Sequence, residues 1–334
     1  MKRLLFLVVS CAMVTPLNAA PAVDGTRDAA YGPALAVQTV QTQFGNSTGG
    51  ITGGGELDAA YATVEGGRLY VLLTGNIENN FNKVSVFIDS KAGGENVLSN
   101  VPQYDFNNVS QNFGGLTFDS GFAADYHLFA RWGGGGNVFD VDIADRNGGG
   151  GASVNVNGAA ATTGAGTAVQ SGAVAPGNNG TNNLGNRALT GFLTQNLDFG
   201  FNNNNSAGVT GGTAAADPVA AAAVTTGFEF SVALADIGNP SDFINIHAVY
   251  GNGDNNFHSN QTLGGLPAPA GNLGGDGNGS FTGTLSGVNF NNFAGDQYFT
   301  VTVPEPTALA LLALAGPALL RRPRPRAARA GSSD

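Results

Sequence analysis

The chain has 334 residues, with 14 Lys+Arg against 24 Asp+Glu, a formal net charge of −10, and 52 glycines. Removing residues 1–20 and 304–334 takes away seven basic and two acidic residues, which leaves a net charge of −15. So acidic a surface excludes nucleic acid as a partner, because phosphate backbones require basic patches. The only cysteine is Cys11, within the first segment, so the remainder has neither disulfides nor cysteine metal ligands.

Residues 1–20 have the layout of a secretory signal peptide. Lys2 and Arg3 precede an apolar run over 4–14, and Ala20-Pro21-Ala22 offers a small-residue cleavage site for signal peptidase. Val8-Val9-Ser10-Cys11 supports a competing lipoprotein reading, although the apolar run before it is short.

From residue 21 the pattern is that of strands. Residues 34–42 form a first candidate, and 57–64 and 68–74 flank Glu65-Gly66-Gly67 as a hairpin. In 83–89, Val84, Val86 and Ile88 share one face; further strands are expected at 126–132 and 138–143. From 148 to 226 Gly, Ala, Asn and Thr dominate. That composition predicts long loops or an insertion, with short strands at 154–156 and 189–199. The single helical candidate, 214–224, contains Pro218. Strict alternation resumes at 228–234. Ile244, Ile246 and Ala248 oppose Asn245 and His247, a glycine-rich loop covers 251–279, and 298–303 is β-branched and aromatic. These elements predict an all-β chain, a jelly-roll-like β-sandwich with strands at 21–147 and 227–303, separated by the loops at 148–226.

The opening Val23-Asp24-Gly25-Thr26-Arg27-Asp28-Ala29-Ala30-Tyr31 resembles that of β-sandwiches related to family-9 carbohydrate-binding modules and DOMON domains. The resemblance implies glycan binding through aromatic rings, for which Trp132 and Tyr126 are candidates. Core packing competes for Trp132, the only tryptophan. Haem binding of the DOMON kind uses a Met/His pair, and both methionines, Met1 and Met13, fall in the signal segment.

The tail is the most specific feature. Val303-Pro304-Glu305-Pro306 precedes an apolar run over 307–320 and then Arg321, Arg322, Arg324, Arg326 and Arg329. As a helix the run spans roughly 21 Å at about 1.5 Å per residue, short of the ~30 Å hydrocarbon core. The arginines favour the cytoplasmic side. This three-part tail resembles the PEP-CTERM sorting signal, which implies transient membrane contact and cutting by an exosortase-type protease. A weak permanent anchor is the competing reading.

No hydrolase, phosphate-loop or zinc-protease motif occurs. Two Asp/Asn clusters, Asp140, Asp142 and Asp145, and Asp276 with Asn278, have the oxygen spacing of a calcium loop; Asx turns are the competing reading. His127, His247 and His258 show no ligand spacing and are expected at the surface. The reading is a non-enzymatic exported protein of the cell surface or extracellular matrix. The alternative is a carbohydrate-binding module for polysaccharide, assisted by calcium.

Overall fold

The computed structural model describes residues 19–44, 55–100, 106–134, 138–147, 151–157, 161–162, 168–177 and 192–304. The signal segment through residue 18 and the tail from Glu305 onward, with its five arginines, lie outside the described residues. No described helix is long and apolar enough to cross a membrane.

The described strands are β1 (Ala36–Val37), β2 (Glu56–Glu65), β3 (Arg68–Asn76), β4 (Lys83–Asp89), β5 (Tyr126–Gly133), β6 (Val138–Asp145) and β7 (Gly151–Asn157). They continue as β8 (Ala161–Thr162), β9 (Ala168–Val174), β10 (Leu197–Asn202), β11 (Gly227–Ala233), β12 (Phe243–Gly251), β13 (His258–Leu263) and β14 (Phe299–Thr302). One sheet runs β1-β2-β3-β11-β10-β9-β8; the other runs β13-β12-β4-β5-β6-β7, with β14 also on β12. The pairings are antiparallel, and the two sheets stack as a β-sandwich.

Period-2 alternation explains the stacking. Val84, Val86 and Ile88 of β4, Leu128 and Ala130 of β5, and Ile244, Ile246 and Ala248 of β12 point inward. There they meet Leu69, Val71 and Leu73 of β3 and Phe228, Phe230 and Val232 of β11. The Phe139 and Phe201 rings stack across the gap at 4.7 Å. The hairpin turn falls at Gly66 and Gly67, both at positive φ (59° and 77°), which side chains disfavour.

Within 148–226 the described strands are β7, which contains the expected 154–156, β8, β9, and β10, which overlaps the expected 189–199; β10 brings Phe199 and Phe201 into the core. Two expectations change. Pro218 does not disrupt a helix but opens one, Pro218–Ala222, whose first turn is capped by the Asp217 carboxylate accepting from the Val219 and Ala220 amides. Finally, β13 lies inside the expected loop at 251–279. Its sequence, His-Ser-Asn-Gln-Thr-Leu, has no apolar alternation, because its buried contacts are hydrogen bonds. Gln261 accepts from the Leu57 amide, and Asn260 donates to the Gln41 and Ala270 carbonyls.

The outer faces are covered too. Leu98, Phe113, Leu116, Phe118 and Phe122 from one long connection, and Leu266, Leu273, Leu285, Val288 and Phe290 from another, pack on Phe87 as a second core. This overturns the expectation of surface histidines: His127, His247 and His258 are all buried under these loops. Their rings lie among phenylalanines, with His127 stacked on Phe87 at 4.5 Å and His247 4.7 Å from Phe290.

On the opposite sheet the opening motif forms the cover. Asp24 accepts from the Thr26 amide, as an Asx turn. Gly25 stands at φ +80°, and a Cβ there would lie 2.6 Å from the Asn202 nitrogen, so only glycine fits. The Asp24 and Gly25 amides donate to Oε2 of buried Glu229 at 2.9 and 2.8 Å, and the Tyr31 hydroxyl donates to its Oε1 at 2.5 Å. The motif is therefore a structural clasp on β11.

Burial pushes the Glu229 carboxyl up to about 7, against the lowering by those hydrogen bonds. A raised carboxylate stabilises the fold below its unfolded pKa and loses that contribution as pH rises through about 7. Glu229→Gln is therefore expected to narrow the gap in melting temperature between pH 5.5 and 8.5. A greater loss at pH 8.5 than at pH 5.5 would mean that the ionised carboxylate is the stabilising form.

Candidate functional site

An open cleft of about 490 Å³ sits at one end of the sandwich, between the residues after β4 and the 238–243 loop that leads into β12. Its floor is built from buried polar contacts. Asp125 accepts the Ser90 and Lys91 amides through Oδ2 at 2.8 and 2.9 Å, and Ser90 Oγ donates to the Ile237 carbonyl across the two walls. The opposite wall turns on Gly238 and Asn239, both at positive φ (88° and 52°), and the Asn239 amide donates to the Leu234 carbonyl. Asp89 closes one side, accepting from the Ala123 amide, and burial raises its carboxyl above the ordinary range. Phe243, the first residue of β12, stands on the rim with 57% of its surface exposed.

Two of the sequence candidates meet behind this cleft. Tyr126 and Asp145 are register partners on β5 and β6, and both engage Lys91: its Nζ donates to the Tyr126 hydroxyl at 2.9 Å and lies 3.6 Å from Asp145. Burial lowers the affinity of that amine for its proton. The hydrogen bond from Lys91 to Tyr126 and the charges of Asp145 and Asp125 outweigh this, so the group is raised. Tyr126 is itself buried and packs on Phe192 at 5.5 Å.

Trp132 is 1% exposed and lies in the inter-sheet core, 6.1 Å from Phe201. It points inward because it follows Leu128 and Ala130 on the same strand face, so it has no ring face to offer a sugar.

The calcium candidates are dispersed. Asp140 and Asp142 lie on the outer face of β6, whereas Asp145 lies on the inner face with Val141 and Ile143, so strand alternation separates them. Asp140 pairs with Arg131 at 2.5 Å. Asp276 is in an exposed Asx turn, accepting from the Asn278 and Ser280 amides at 2.9 Å each, and these bonds hold its carboxyl below the ordinary range. Asn278 lines a separate pocket of about 350 Å³ with Pro267, Pro269 and Phe293. Among the described residues no group of three or more His, Cys, Asp or Glu is placed to hold a metal.

The cleft residues Asn239, Ser241, Asp242 and Phe243 carried no signal of their own beyond the turn dipeptides Gly238-Asn239 and Asn239-Pro240. Their lining holds neither histidine nor cysteine, so its serines have no imidazole base. No family model matches the chain, and no curated protein or solved structure matches it.

Proposed function

We propose that this chain is an exported, non-enzymatic protein of the cell surface or extracellular matrix, with a jelly-roll-like body. In this reading residues 1–20 are removed by signal peptidase, and the tail from Pro304 is held briefly in the membrane and cut by an exosortase-type protease. The carrying observation is how the last described strand is held. Along β14 and the two residues after it, Phe299, Val301 and Val303 are buried while Thr300, Thr302 and Pro304 are exposed. The Val303 amide makes the last described backbone bond, to the Asp242 carbonyl at 2.9 Å. Cutting at Pro304-Glu305-Pro306 would leave this strand and its bond to Asp242 in place, which is compatible with a disposable sorting tail.

Intact mass with terminal peptide mapping, on protein from the native host's envelope and medium, tests the reading. The expected product lacks residues 1–20 and ends near Pro304. A mature form that keeps the arginine tail overturns it.

A further inference from the structure

We infer that the cleft bounded by Asp89 and Phe243 is a binding site for a neutral polysaccharide, with the Phe243 ring as its stacking platform. Four observations carry this.

The first is the ring. Phe243 is a large apolar side chain at 57% exposure, and its backbone is fixed by pairing with Thr302. A rigid aromatic face beside polar groups suits the C–H face of a sugar, which offers an apolar surface ringed by hydroxyls. The second is the lining. Asp89, Asn239, Ser241 and Asp242 present carboxylate, amide and hydroxyl groups around an open trough rather than a deep apolar socket. Ionised carboxylates accept hydroxyl protons in strong, short hydrogen bonds.

The third is rigidity. Both walls are tied down by the Asp125, Ser90 and Asn239 bonds described above, so little ordering cost attaches to binding. The fourth is charge. Lys91, the one cation of the lining, is engaged by Tyr126 and Asp145, which leaves the trough acidic and unfavourable to uronate or sulfated polymers.

The cleft also adjoins the last described residues, since Asp242 both lines it and accepts the Val303 amide. While the uncut tail is in the membrane, the trough would face the envelope; this orientation, though not the site itself, rests on the sorting reading above.

Native affinity electrophoresis of the full chain in a polyoxyethylene detergent tests the site, in gels containing dextran, hydroxyethylcellulose, a β-1,3-glucan or alginate. The expected result is retardation by at least one neutral polymer and none by alginate. Phe243→Ala and Phe243→Leu should each raise the dissociation constant about tenfold or more, while Phe281→Ala, at a residue 66% exposed outside the cleft, leaves it unchanged. Thermal melts establish that the variants fold. Absence of retardation in every gel, retardation by alginate alone, unaltered binding by both Phe243 variants, or an equal loss in Phe281→Ala would each overturn the proposal. None of these outcomes depends on how the tail is processed.

Discussion

Acidification from pH 5.5 to 3.5 is expected to unfold the protein, and the buried histidines are the cause. Burial pushes the His247 imidazole down to about 4 and that of His258 down to about 3, the latter helped by repulsion from His247 at a ring separation of 6.3 Å. His127 is held well below the usual range by burial and by the charges of Arg146 and Lys83. Below about pH 6.5 the unfolded chain binds protons that the folded chain refuses, so stability falls with pH. Lowering from 6.5 to about 4 and about 3 corresponds to about 3–5 kcal/mol per histidine once the pH is below both values, against a total of about 5–15 kcal/mol for an ordinary domain.

The buried carboxylates oppose this at higher pH. Burial raises Glu56 to about 8 and Glu229 to about 7, and Asp58 well above its ordinary value with Glu56 adding to it. Their contribution is complete below about pH 4.5 and is lost as pH rises through 7 and 8. Between pH 4.5 and 6.5 the two slopes oppose each other; below that only the histidine loss continues, and above it only the carboxylate loss. Denaturant titrations at pH 3.5, 5.5 and 8.5 should therefore place the maximum at 5.5. Neither His258 ring nitrogen makes a well-formed hydrogen bond, so His258→Phe should keep the stability at pH 5.5 and move the acid midpoint down by about one unit. An acid midpoint unchanged in that variant would remove His258 from the explanation.

Ending the chain before β14 should be as damaging as ending it after Pro304 is harmless. β14 buries Phe299 and Val301, with Val303 buried just after it, and covers the β12 edge from Phe243 to Ile246. Three buried side chains of this size are worth about 5–8 kcal/mol, comparable with the whole stability of a domain. A chain stopped at Gln297 would also expose the strand edge beside Ile244 and Ile246 and is expected to aggregate. A chain stopped at Pro304 should melt within a degree or two of the full chain. Equal melting of both truncations would show that β14 does not close the body.

Much of the sandwich was readable because alternation is a local property. Where one strand face meets the other sheet, as in 83–89, 228–234 and 298–303, every second residue is apolar. The reading weakened where both faces are buried or where burial is polar. β13 pairs through amides and hydroxyls and carries no apolar rhythm; β10 stands in a glycine- and asparagine-rich stretch whose two phenylalanines matter only beside Phe139. The histidines were misplaced for a related reason. Alternation reports that His247 opposes Ile246, but not that a second layer of loops covers its side of the sheet.

By itself the sequence determined the all-β class, the hairpin at Gly66-Gly67, the tripartite tail and the absence of cysteine beyond residue 11. Each of these depends on neighbours in the chain, on composition or on a fixed short spacing. Tertiary structure alone decided that Trp132 is core, that Glu229 is the partner of the opening motif 205 residues before it in the case of Asp24, and that Asp89 and Phe243 share one cleft. These are consequences of strand order: β4 lies against β12 and β3 against β11, although more than 150 residues separate the paired strands in each case. No local pattern encodes such a pairing, because it is selected by the burial of both sheets together.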